Sequence, residues 1–291
     1  MIIVHVFGGL GNQMFQYATG RRLAYIHRTE LYIDTPGSVV YPVRKYELDI
    51  FRIHTSIASA AVRNQVAFSA KDFFRLKIQK VLHKEKKLVR YVKERTCDFE
   101  KRVLSLPDNI YLDGYWQSEK YFFDISETIR KEFSFIHPPS QINQAIMKKI
   151  KECNSVGVHI RRGDYANNPE IRKIHLVCDE AYYKNAITWI MTRIDNPSFF
   201  IFSDDPLWAQ ENVVPDAPVT YLSHNTGVKD YEDLRLMIHC KHHIISNSSF
   251  SWWGAWLGKK ESQVVVVPNR WYNTKSCNYS DRIPSNWIIT D

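Results

Sequence analysis

The chain has 291 residues, of which 44% are hydrophobic and 24% charged, and a formal net charge of +8. This is ordinary globular composition, long enough for two domains and a sizeable core without disulfide or metal staples. Five scattered cysteines, no two of them spaced CxxC, exclude zinc-ribbon and thioredoxin readings and favour a reduced compartment.

The N-terminus, MIIVHVFGGLGNQ, has no basic region and only a short apolar run, so it is a poor signal peptide. No stretch approaches the ~20 apolar residues of a membrane span. A cytoplasmic protein is the expectation. Met1–Phe7 is apolar and β-branched and reads as a buried strand. A glycine-rich turn follows at Gly8, Gly9 and Gly11. Met14, Tyr17, Ala18, Ala24 and Tyr25 then fall on one helical stripe. Leu31–Asp34 reads as a second strand. From Ser56 to Arg95 the pattern is helical and charged, and Ile110–Trp116 reads as another strand.

The charge is local. Lys71–Arg95 holds ten Lys/Arg against three acids, a surplus of +7, so the rest of the chain is nearly neutral. Such a segment is either a solvated helical face or a contact for an anionic partner: a membrane surface, a lipid-linked glycan or RNA. No nucleic-acid motif accompanies it, which makes nucleic acid the weakest of these. Peripheral contact with the inner membrane is the corresponding expectation for location.

His137-Pro138-Pro139-Ser140 breaks the chain, and a boundary placed there gives domains 1–138 and 139–291. The second half restarts the rhythm. Val156–Ile160 is a strand, Asp179–Thr192 a helix, Phe199–Phe202 and Val219–Leu222 strands. Tyr231–Cys240 is a helix, His242–Ser246 a strand, and Val264–Val267 the last strand. Strands alternating with helices indicate parallel sheets, hence an α/β protein of two Rossmann-like domains.

Ligands of open parallel sheets bind beyond the strands' carboxyl ends. Four polar segments fall there. GGLGNQ at Gly8–Gln13 lets the backbone approach a ligand, but has neither the GxGxxG spacing nor the GKS/T of a P-loop, so NAD and ATP are not indicated. HIRRGDY at His159–Tyr165 places two arginines at a strand end, where they can grip a diphosphate, with Asp164 available to orient one of them. A structural Arg–Asp pair is the plain alternative. Asp204 and Asp205 are adjacent, not Asp-x-Asp, and no acid–His cluster joins them, so no metal site is expected. An acid here can accept from a guanine edge or cap the helix that follows. Ser246–Ser251 supplies hydroxyls and backbone N–H groups for phosphate. Trp252, Trp253 and Trp256 are expected in the core.

GGLGNQMFQYA at Gly8–Ala18, HIRRGDY, FSDDPLW at Phe202–Trp208 and SNSSFSWWGAWL at Ser246–Leu257 together resemble the α-1,2-fucosyltransferases of glycosyltransferase family 11. HxRRxD is shared with other fucosyltransferases; the longer segments favour the α-1,2 group, and the lack of a membrane anchor resembles its bacterial members. The resemblance implies a GT-B-like fold, two Rossmann-like domains facing across a cleft, with the donor mainly on the second and the acceptor on the first. It implies transfer of L-fucose from GDP-β-L-fucose to the 2-hydroxyl of a terminal galactose on a glycan, with inversion and without a metal. Arg161 would hold the β-phosphate, supported by Arg162 and Asp164. His159 would position the nucleotide and Asp204 read guanine. Ser248, Ser249 and the Phe250 N–H would contact phosphate, and Gly11 and Asn12 would reach the donor from the other domain. Another GDP-sugar transferase and a non-catalytic nucleotide-sugar or glycan binder are the alternatives. The general base stays open among Asp164, Asp34, Asp113 and water.

Overall fold

The computed structural model describes residues 1–35, 45–66, 90–163, 166, 168–174, 177–273 and 280–291. The chain divides into two compact units, Met1–Ile136 and His137–Asp291.

The first unit runs β1 (Ile2–His5), α1 (Leu10–His27), β2 (Leu31–Asp34), β3 (Ser56–Ile57), α2 (Ala60–Val66), β4 (Tyr91–Lys93), β5 (Ile110–Asp113) and α3 (Ser126–Glu132). Its five strands form one parallel sheet in the order β3-β2-β1-β5-β4. Ile2, Ile3 and Val4 are fully buried. A parallel strand covered on both faces demands such a continuous apolar run.

Gly8 takes φ +77°, which turns β1 into α1. Helix α1 is buried through most of its length, polar Gln13, Gln16 and Thr19 included. The expected stripe holds for Met14, Tyr17, Ala18 and Ala24 but not for Tyr25, which is 52% exposed. The last turn, Tyr25–His27, has run past the surface the rest of the helix packs on, so periodicity no longer sets burial there. The segment expected to be helical from Ser56 to Arg95 is helical over Ala60–Val66. Ser56–Ile57 and Tyr91–Lys93 are instead strands, and residues 67–89 lie outside the described ones. Strands of two or three residues are too short to show any period, and their neighbours in the sheet decide them.

The second unit runs α4 (Gln141–Glu152), β6 (Asn154–Ile160), α5 (Pro169–Ile174), α6 (Glu180–Met191), β7 (Pro197–Ser203), α7 (Pro206–Asn212), β8 (Val219–Leu222), α8 (Tyr231–His239), β9 (His242–Ile244), α9 (Ser249–Leu257), β10 (Val265–Pro268) and β11 (Ile288–Thr290). The order is β11-β10-β9-β6-β7-β8, all parallel. Counted from β6 this is 3-2-1-4-5-6, the doubly wound Rossmann order. One core layer packs Val156, Val158, Ile160, Phe199 and Ile201 against Tyr183, Ala186 and Ile190 of α6. The other packs Phe200 and Phe202 against Ile150 of α4 and Leu236 and Met237 of α8. Val264–Val267 is not the last strand: β11 extends the sheet beside β10, with Val266 opposite Ile288.

Cys153, Cys178 and Cys240 are free thiols and Cys97 is disulfide-bonded, whereas the scattered cysteines favoured a reduced compartment. Among the described residues no helix is long and apolar enough to cross a membrane.

The tryptophans of α9 are core residues. Trp252 and Trp253 have no exposed surface, and Trp256 has 4%. Trp252 stacks on Trp256 with ring centroids 5.8 Å apart, and its indole N–H donates to the Arg282 carbonyl at 2.7 Å. Trp252→Ala should therefore lower stability by about 3–5 kcal/mol in urea denaturation, and Trp252→Phe by clearly less. Equal losses for both would mean that the hydrogen bond, not the ring, dominates.

Candidate active site

In a doubly wound sheet the ligand crevice opens where the strand order reverses, beyond the strands' carboxyl ends. In the second unit that point lies between β6 and β9. Strand β6 ends at Arg161-Arg162-Gly163, β7 runs into Asp204-Asp205, and β9 leads into Ser246–Ser248.

Asp204 ties the first two of these ends together. One carboxylate oxygen lies 2.9 Å from Arg161 Nη1, and the other accepts the Arg162 backbone N–H at 2.7 Å. A Cβ on Gly163 would come within 2.8 Å of the same carboxylate, so the glycine admits the acid at this turn. Arg162 is held separately. Its guanidinium sits 3.8 Å from the Trp208 ring centroid, and its Nε is 3.4 Å from an Asp205 oxygen. Asp205 also caps α7, accepting from the Trp208 N–H at 3.4 Å with Pro206 in the first turn. The capping alternative thus describes Asp205. Asp204, expected to read guanine, has each oxygen in contact with the arginine turn.

His159 is buried. Its Nδ1 lies 2.9 Å from Ser246 Oγ, and its ring stands 5.6 Å from that of Phe250. Burial, reinforced by the Arg161 charge, pushes its pKa down to about 3, so the imidazole is neutral. Its carbonyl accepts from the Tyr183 hydroxyl at 3.3 Å. Ser248 is the N-cap of α9, and Ser249 and Phe250 open the helix. First-turn N–H groups have no intrahelical acceptor and carry the positive end of the helix dipole, which suits an anion. Asn247 fixes this turn from behind: its amide donates to the Trp271 carbonyl at 2.8 Å and accepts from Cys178 Sγ at 3.6 Å. Arg161, His159, Ser248, Ser249 and Phe250 thus gather at one end of the sheet. Asp164 lies outside the described residues.

A second polar cluster beyond β8 was not anticipated. Asn143 donates to Asn225 and Glu232, both at 3.1 Å, and lies 2.7 Å from His224 Nε2. Asn225 donates to Asp233 at 2.8 Å, and burial raises the Asp233 carboxyl to about 7. Its sequence signal is the Glu232-Asp233 pair opening a helix just after His224-Asn225, and neither pair alone suggests chemistry.

In the first unit, Gly11 and Asn12 belong to the first turn of α1 rather than to a loop, and Asn12 Oδ1 accepts from Gln117 Nε2 at 2.6 Å. The sheet register aligns His5 with Asp34, and Lys93 with Asp113. Val4 lies opposite Leu112, so His5 also stands beside Asp113. Lys93, Asp113, His5 and Asp34 therefore form one row at the carboxyl edge. Asp113 lies 2.8 Å from His5 Nδ1 and accepts from the Tyr91 hydroxyl. Asp34 accepts from Tyr111 at 2.7 Å and from Arg63 at 2.8 Å. Among the described residues no group of three or more His, Cys, Asp or Glu could hold a metal.

The model of glycosyl transferase family 11 matches residues 1–291. The chain belongs to that family. An Escherichia coli alpha-1,2-colitosyltransferase is 34% identical over 99% of this chain and 98% of its own length. The O-antigen biosynthesis glycosyltransferase WbnK of Escherichia coli is 30% identical over 92% of this chain and 95% of its own. Human galactoside alpha-(1,2)-fucosyltransferase 1 is 26% identical over 87% of this chain, which spans 64% of it. A variant of Arabidopsis thaliana FUT1 in complex with GDP has the same fold, at TM-score 0.51 and 11% identity, covering 88% of this chain and 68% of that one. The chain is accordingly a glycosyltransferase with a GT-B-like α/β fold, and a nucleotide-sugar donor and a glycan acceptor follow from the family.

The buried His159 has a consequence for stability. Its folded pKa lies below that of a free imidazole, so below pH ~6.5 the unfolded chain takes up a proton that the folded chain refuses. Its effect is absent above that pH, and stability falls as pH drops toward about 3. His239 and His243 act in the same direction, their pKa values lowered by burial to about 4 and about 3. His159→Asn should flatten the fall of unfolding free energy below pH ~6.5 by up to ~1.4 kcal/mol per pH unit in urea titrations at stepped pH. An unchanged slope would mean that His159 titrates normally.

Proposed function

We propose that this glycosyltransferase moves L-fucose, or its 3-deoxy relative colitose, from a GDP donor to the 2-hydroxyl of a terminal galactose, with inversion. The reading rests above all on Arg161, held by Asp204 at the end of β6 and grouped with the opening turn of α9 at one sheet edge. Inversion is a single displacement: the acceptor oxygen bonds to the anomeric carbon while the bond to the β-phosphate breaks. Negative charge grows on the leaving GDP. Arg161 and the N–H groups of Ser249 and Phe250 stabilise it, with Ser248 beside them, and they act more strongly in the transition state than in the ground state. His159 positions the nucleotide as a neutral group, and Arg162 and Asp164 support Arg161. We read the transfer as metal-independent. The second unit takes the donor, and the first takes the acceptor. The basic segment Lys71–Arg95 docks a lipid-linked acceptor or an anionic membrane surface.

Colitose enters because a relative spanning essentially the whole chain is named a colitosyltransferase. The two sugars differ by one hydroxyl. A site built to hydrogen-bond that hydroxyl strongly rejects the analogue without it, whereas an apolar pocket discriminates weakly. The kcat/KM ratio for GDP-fucose against GDP-colitose therefore decides the donor.

With lactose as acceptor and EDTA present, an α-1,2-linked product identified by NMR is expected. Arg161→Ala should lower kcat more than ~100-fold, the scale of one strong electrostatic contact to developing charge. Arg161→Lys should recover only part, because the planar fork is lost. Retention of most turnover in Arg161→Ala would remove this assignment. Transfer abolished by EDTA would overturn metal independence.

A further inference from the structure

The proton of the acceptor hydroxyl needs a destination, and Asp34 and Asp113 are already engaged. Asp34 is taken by Arg63 and Tyr111, and Asp113 by His5 and Tyr91. The residue between them is not an acid. His5 stands at the carboxyl end of β1, the central strand of the first sheet, with Asp113 on one side and Asp34 on the other. The hydrogen bond from His5, together with that of Tyr91, holds the Asp113 carboxyl below its usual range against the opposing effect of burial. An ionised carboxylate only accepts, so His5 Nδ1 carries the hydrogen, and in the neutral ring Nε2 then carries the lone pair. That Nε2 is buried and has no hydrogen-bond partner among the described residues. The His5 side chain retains 18% exposure, and the Phe7 ring lies 4.6 Å from it, with Tyr115 4.7 Å beyond Phe7. A buried polar atom without a partner calls for a ligand or a role. Aromatic rings beside it offer apolar faces of the kind a sugar ring packs against.

The geometry points to His5 as the general base of the transfer, with Asp113 as the residue that positions it. This rests on the transferase reading above. Nε2 takes the acceptor hydroxyl proton as the acceptor oxygen bonds to the anomeric carbon. The carbon–oxygen bond to the β-phosphate breaks, and its electron pair departs with GDP. Asp113 sets the tautomer and stabilises the imidazolium that forms, as a carboxylate does for a histidine base. A hydroxyl donating to Nε2 gives that atom the partner it lacks.

Among the described residues, the charged and titratable groups around His5 are few. Asp113 and Tyr111 come from β5, Tyr91 and Lys93 from β4, and Asp34 with its partner Arg63 from β2 and α2. The test uses the full chain with lactose and whichever GDP-sugar the wild type transfers, at saturating donor, from about pH 5 to 9. His5→Gln should lower kcat by ~100-fold or more and remove the acid limb of the kcat profile, while GDP affinity stays within ~2-fold. Asp113→Asn should lower kcat less and move the acid limb to lower pH, since the imidazolium loses its counter-charge. A His5→Gln enzyme that keeps more than half of the wild-type kcat and its acid limb overturns the assignment. So does one that loses GDP binding along with activity, which would mark His5 as structural. If His5→Gln does not fold, unchanged kcat and pH profile in Asp113→Asn overturn it instead. A wild type that binds GDP but transfers neither sugar overturns the function reading itself, and this base with it.

Discussion

The candidate site depends on one constraint of parallel sheets: every strand ends at the same edge. Gly157 of β6 lies opposite Phe200 of β7 on one side and His243 of β9 on the other. The turns that carry Arg161, Asp204 and Ser248 therefore start side by side although 87 residues separate the first from the last. Such an edge is useful only if the strand ends do not fray. Two adjacent tyrosines of α6 secure them: Tyr182 donates to the carbonyl of Ile245, and Tyr183 to that of His159. Burial raises both phenols well above their ordinary range, so they remain protonated donors. The α9 tryptophans fix the third side by packing the helix whose first turn faces that edge.

Much of this was legible in the chain. Long apolar runs bounded by polar turns, such as Val156–Ile160 and Phe199–Phe202, identify central strands, because both faces of such strands are buried. The polar residues after them then fall into place by topology alone. The rest was hidden for physical reasons. β3, β4 and β11 have two or three residues each, and neighbours in the sheet determine them more than their own pattern does. The division of labour between Asp204 and Asp205 depends on which carboxylate points back over the arginine turn and which caps α7, and adjacent residues on a chain do not reveal that. His5 and Asp113 are 108 positions apart. Their pairing needs β5 to insert beside β1, a crossover that no local signal announces.

The two sheets use the same edge differently. In the second unit the edge gathers arginines, hydroxyls and backbone N–H groups, a set that fits an anion. In the first it carries a mixed row, Lys93, Asp113, His5 and Asp34, with Arg63 at its end. Charges in such a row largely neutralise one another, so the row does not attract a polyanion. What remains is directional: hydrogen bonds that fix ring and carboxylate orientation. That is suited to a neutral sugar and a proton, not to a diphosphate.

The arginines of the RRG turn are likewise unequal. Arg162 is bound on two sides, over the Trp208 ring and against Asp205, and Trp208 is itself anchored in α7. Pulling it away would forfeit a cation–π contact and a charge contact together. Arg161 meets Asp204 through Nη1 at 2.9 Å, and a guanidinium presents its N–H donors in a planar fork. In the proposed transfer a diphosphate would meet Arg161 at a turn that Asp204 also holds through the Arg162 backbone N–H. In that proposal the carboxylate orients the arginine, so that positive charge is already in position before negative charge develops on a leaving diphosphate.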